Sequence, residues 1–102
     1  MTSSLPPSLP SHPRLSADPA AVHNVELFRS GDPGLWQRLA PILDTLEAGQ
    51  QPPSTRAFVT HPRRYYVTVG VPGRDEVCVV AWVQPAEGTP FIVACKNLPA
   101  GT

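Results

Sequence analysis

Hydrophobic positions along this chain change their period once, near residue 50. Between about residue 19 and that point they recur every three or four positions, and beyond it they alternate. Val22, Val25 and Phe28 follow Asp18 and Pro19, where a carboxylate can accept backbone N–H bonds and proline sacrifices a donor that has no helical partner. Gly31 is placed to end the segment, so the spacing predicts a helix over 19–30. Asp32 and Pro33 repeat the start signal, and Leu35, Leu39, Ile42, Leu43 and Leu46 form the clearest one-sided stripe in the chain. Pro41 falls inside the stripe and removes the N–H that would reach the Gln37 carbonyl, at roughly 3 kcal/mol in a free helix. Because the apolar phase crosses Pro41 unbroken, one bent helix is expected, ended by Gly49 and the Gln50-Gln51-Pro52-Pro53 linker.

The alternating half predicts an antiparallel meander over 64–71, 76–83 and 91–96, with an edge strand over 56–60 stopped by Pro62. In the first strand Tyr65, Val67, Val69 and Val71 share one face and Arg64, Tyr66 and Thr68 the other. Val77, Val79, Ala81 and Val83 alternate with Cys78, Val80 and Trp82, so both faces of the second strand are apolar and it belongs in the middle. Pro72 and Gly73 suit a type II turn between these strands. The expected fold is α+β: two short N-terminal helices packed on a three- to four-stranded antiparallel sheet, as a single domain over 19–102. With those helices on the Val77/Val79/Ala81 face, the face bearing Val80, Trp82, Ile92 and Ala94 needs another cover.

Composition narrows the picture only at the ends of the chain. Of 102 residues 14 are proline, and Pro6, Pro7, Pro10 and Pro13 crowd the start, which predicts a disordered proline-rich tail over 1–18. No secretory signal or long apolar run is evident, so a cytoplasmic location and no membrane contact are expected. Two cysteines, Cys78 and Cys95, lack the spacing of a zinc site or a redox pair and read as buried free thiols. The hairpin registers place them on neighbouring strands but on opposite faces. Neither a metal nor a cofactor is expected: a metal site needs three or four converging ligands, and His12 lies in the tail while His23 lies on the first helix.

Eight basic and eight acidic residues cancel, which argues against non-specific nucleic-acid binding. The exception is local. No acidic residue lies between Glu47 and Asp75, whereas Arg56, His61, Arg63 and Arg64 do, followed by Tyr65 and Tyr66. Two functions follow. The first is a non-enzymatic protein-interaction module binding a partner or a second copy as a homodimer through Val80, Trp82 and Ile92, with Arg63 and Arg64 as further binding residues. The second is RNA cleavage, with His61 as acid/base group, Arg63 or Arg64 on a phosphate and Tyr66 stacking on a base. The order of two helices, linker and antiparallel sheet resembles that of small bacterial ribonuclease toxins, a likeness of element order that no motif carries.

Overall fold

The computed structural model describes residues 7–60 and 62–99. The elements in chain order are β1 (Ser8–Leu9), β2 (His12–Ala17), α1 (Pro19–Gly31), α2 (Pro33–Glu47), β3 (Arg56–Ala57), β4 (Arg64–Gly70), β5 (Glu76–Val83) and β6 (Phe91–Pro99). They build an α+β fold with one six-stranded sheet in the order β1-β2-β6-β5-β4-β3. All neighbours are antiparallel except β2 and β6, which run parallel.

The helices follow their sequence signals closely. Asp18 caps α1 by accepting the Ala20 N–H at 3.0 Å, and Asp32 caps α2 by accepting the Leu35 N–H at 3.2 Å. Helix α2 runs unbroken through Pro41, with Leu35, Leu39, Leu43 and Leu46 buried. Those four side chains offset the lost hydrogen bond, since burying each is worth roughly 1.5–3 kcal/mol. The turn before β5 is also as expected: Gly73 has φ +84° and the Arg74 N–H reaches the Val71 carbonyl at 3.1 Å.

Three expectations are corrected. The sheet has six strands, not three or four, because residues 8–17, expected as tail, form β1 and β2. Leu9, Leu15 and Ala17 are completely buried, and the apolar spacing of Leu15 and Ala17 outweighs the surrounding prolines. Pro13 is tolerated in β2 because only Ser16 and Ala17 pair with β6, so its missing N–H breaks no bond there. The rest of the proline-rich tail, residues 1–6, lies outside the described residues.

The second correction concerns which face the helices cover. Cys78, Val80, Trp82, Ile92 and Cys95 join Val67 and Val69 in one core cluster with the leucines of α2 and with Ala21 and Val25 of α1. The helices therefore sit on the Val80/Trp82 face, not the Val77/Val79 face. The two were indistinguishable from β5 alone, where both faces are apolar; β4 decides it, because its alternation puts Val67 and Val69 opposite Val80 and Cys78.

The third concerns register. Trp82 pairs with Ile92 but Ala81 pairs with Ala94, so Val93 is an extra residue, a bulge in β6. Beyond it the pairing moves by one, which turns Cys95 onto the same face as Cys78. Their sulfurs lie 3.8 Å apart and both thiols are free and buried, as expected for their burial but not for their orientation.

One ion pair ties the β4–β5 turn to the helix layer. Arg74 donates two bonds to Asp32, Nη1 to Oδ2 at 2.6 Å and Nη2 to Oδ1 at 2.8 Å. Bonding to Arg74 holds the Asp32 carboxyl below its ordinary value. A depressed carboxyl adds stability above its unfolded pKa of about 3.9, and that contribution disappears as pH falls through the lower folded value. In Arg74→Ala the Asp32 titration, followed by NMR, should move upward, and the stability gap to the parent chain should close below pH about 4.

Candidate functional site

The face of the sheet opposite the helices carries the features that point to function. Its side chains fall into rows set by the strand pairings. Arg64, Val83 and Phe91 form the first row, with Phe58 placed beside Arg64 by a 2.9 Å bond from its N–H to the Arg64 carbonyl. Arg56, Tyr66, Ala81 and Ala94 form the second; Thr68, Val79 and Lys96 the third; Gly70, Val77 and Leu98 the last. Every second residue of each strand lands here because strand side chains alternate between faces.

Two properties distinguish this face. It is apolar along its middle, where Val77, Val79, Val83 and Phe91 are half-buried and none of them packs into the core cluster. Leu98 and Phe58 stand at opposite ends, 39% and 36% exposed, levels high for large apolar side chains. It is also cationic: Arg56, Arg64 and Lys96 occupy three of the rows, and no acidic residue occupies any row position. The acids are elsewhere, with Asp18, Glu26, Asp32, Asp44 and Glu47 on or next to the helices, Asp75 and Glu76 at the far turn and Glu87 in the loop between β5 and β6. A chain of zero formal net charge thus has one basic side.

Of the residues singled out from sequence, Arg64 and Tyr66 share this face, and the Tyr66 ring lies 5.0 Å from that of Phe58. Arg63 lies in the turn before β4 in a left-handed conformation, φ +62°, and its carbonyl accepts the Gln84 N–H at 2.7 Å. His61 lies outside the described residues. Val80, Trp82 and Ile92, assigned to a binding surface, are instead 0%, 1% and 0% exposed beneath the helices. Lys96 aligns with Val79, so it stands four residues from Arg64 along β5, about 13 Å. The one-residue bulge that flips Cys95 also brings Lys96 to the Arg64 face.

A second constellation was missed in the sequence. His12 is 4% exposed; its Nε2 lies 2.5 Å from Asp44 Oδ1 and its Nδ1 lies 2.8 Å from Ser11 Oγ. The order Ser–His–carboxylate is that of a nucleophilic triad, but the burial is inverted. In a triad the carboxylate is enclosed and the nucleophile faces substrate, whereas here the Asp44 side chain is 69% exposed and the imidazole is enclosed beside Trp36. The arrangement clamps β2 to α2, a role shared by the Arg14 N–H, which donates to Glu47 Oε2 at 3.0 Å. His12 and Asp44 are 32 residues apart, so no local spacing announces them.

Cys95 is not poised as a nucleophile. The hydrogen bond with Cys78, then burial, push the Cys95 thiol far up, which keeps it protonated and non-nucleophilic. A depression of about 450 Å³ lined by Arg74, Asp75, Glu76 and Pro99 lies at the β4–β5 turn, where Arg74 is already engaged with Asp32. Among the described residues there is no group of three or more metal-ligating side chains, and no helix is long and apolar enough to cross a membrane. Comparison with models of protein families, with curated proteins and with solved structures returns no match.

Proposed function

We propose that this chain is a small, non-enzymatic protein-interaction module that works through the open face of its sheet. The observation that carries this reading is the strip of Val77, Val79 and Val83 along β5, with Phe91 beside its end on β6, on which no element of the described chain packs. Both outer strands are only two residues long, so the sheet edges offer little to pair with and the face is the larger binding surface. An apolar patch of this kind, rimmed by polar groups, is characteristic of an interaction site.

The test is a photo-crosslinking residue placed at Val79, on the open face, or at Arg38, exposed on α2, in cells that make the protein. A discrete adduct is expected from position 79 alone. Its partner, identified by mass spectrometry and purified, should bind the parent chain and lose at least tenfold in affinity for Val79→Asp, with melting of the variant showing that it is folded. Equal adducts from both positions, or binding indifferent to Val79→Asp, would overturn the reading.

RNA cleavage is a second reading, favoured by the clustering of Arg56, Arg64, Tyr66 and Phe58 at one end of the same face. Arginine and aromatic side chains side by side suit phosphate contact and base stacking. The middle of the face is aliphatic, however, and bases stack on aromatic platforms. That composition is our reason for preferring a protein partner to RNA.

A further inference from the structure

Resting on the interaction reading, we infer that the occupant of the open face is a segment of another protein whose apolar side chains are flanked by carboxylates. The distribution of charge carries the inference. Arg56, Arg64 and Lys96 stand on the face with no acidic neighbour in any row, and no acidic side chain among the described residues pairs with them. Elsewhere the cations are mixed with acids: Arg29 is paired with Glu26 and Arg74 with Asp32, and Arg38, which has no acidic partner among the described residues, shares its helix with Asp44 and Glu47. Unpaired cations around an apolar strip favour a partner that brings the missing carboxylates, because complementary potential steers encounter and excludes like-charged competitors.

The same charges argue against a second copy docked face to face. Such a pairing would press three cations of one copy against three of the other, with no carboxylate on either surface to separate them. They also do not favour a nucleic acid over a protein. An extended anionic backbone needs cations but has no use for a Val77/Val79/Val83 strip, whereas leucine or valine side chains between glutamates satisfy both parts of the surface at once.

The probes are a synthetic 20-residue amphipathic leucine/glutamate peptide, a 20-nucleotide oligouridine, and the chain itself in a dilution series by light scattering. The peptide is expected to bind, more weakly as salt rises. The triple variant Arg56→Glu, Arg64→Glu, Lys96→Glu should lose at least tenfold in that affinity, and Arg38→Glu on the helix layer should not. Circular dichroism on each variant separates lost binding from lost structure. Oligouridine binding tighter than the peptide, a dimer that dissociates on dilution, or no peptide binding would overturn the inference. A Val79-dependent partner whose affinity is unchanged by the triple charge reversal would refute the acidic occupant alone and leave the interaction reading standing.

Discussion

Val80→Asp will leave the chain without cooperative unfolding in a urea titration, whereas Val79→Asp, one residue away, will cost about 1 kcal/mol and keep the native near-ultraviolet spectrum. Val80 is fully buried in the cluster that joins the sheet to both helices. Aspartate there forfeits the burial of a valine, roughly 1.5–3 kcal/mol, and strands a carboxylate among aliphatic groups with nothing to pair with. An uncompensated buried charge alone costs about 3–5 kcal/mol. A domain of this size has roughly 5–15 kcal/mol in total, so the sum reaches the lower half of that range. Val79 faces Thr68 and Lys96 across the open side, where an added carboxylate meets a cation and water. If Val79→Asp unfolds the protein and Val80→Asp does not, the helices lie on the other face and the open-face site is wrong with them.

That pair of variants probes the point where the sequence was ambiguous. The meander and the central position of β5 were legible, because eight residues, six of them valine, alanine or cysteine, between two turns suit a buried strand and are too short for a core helix. Which face turns inward was not, since β5 is apolar on both sides. The information lay in β4, whose Tyr65, Val67 and Val69 stand against Arg64, Tyr66 and Thr68, so that its apolar half had to lie inward and to carry Cys78, Val80 and Trp82 with it. Taking the strands together rather than singly moves the candidate surface from Trp82 to Val79.

The bulge at Val93 is of another kind. No glycine or proline marks it: Phe91, Ile92, Val93 and Ala94 read as an ordinary strand. Pairing counted from the turn is correct at Val83 and Phe91 and wrong by one from Ala94 onward. That single residue decides that Cys78 and Cys95 meet and that Lys96 joins Arg56 and Arg64, so part of the site's charge pattern depended on a register no local rule supplies. The Ser11–His12–Asp44 clamp was hidden for a related reason, being a contact between a strand expected as tail and a helix position off the leucine stripe.

Removing residues 1–17 should likewise abolish cooperative folding, although the segment carries the composition of a flexible tail. Leu9, Leu15 and Ala17 are all fully buried in the core cluster, and each buried leucine cut back to alanine costs about 2–5 kcal/mol. Deletion takes both leucines, the clamp of His12 on Asp44 and the strand that pairs with the Phe91 and Ile92 end of β6. A milder form keeps the measurement quantitative: Leu15→Ala should unfold about 2–5 kcal/mol more easily, each kcal/mol lowering Tm by roughly 4–8 °C. Were 1–17 a passive tail, the truncated chain would melt with the parent and Leu15→Ala would be silent. Two leucines and a buried histidine outweigh the prolines around them for a physical reason. Proline forbids a donor and fixes φ, and here exposed Pro10 lies in the β1–β2 turn and exposed Pro13 on a stretch unpaired with β6, where neither restriction breaks a bond.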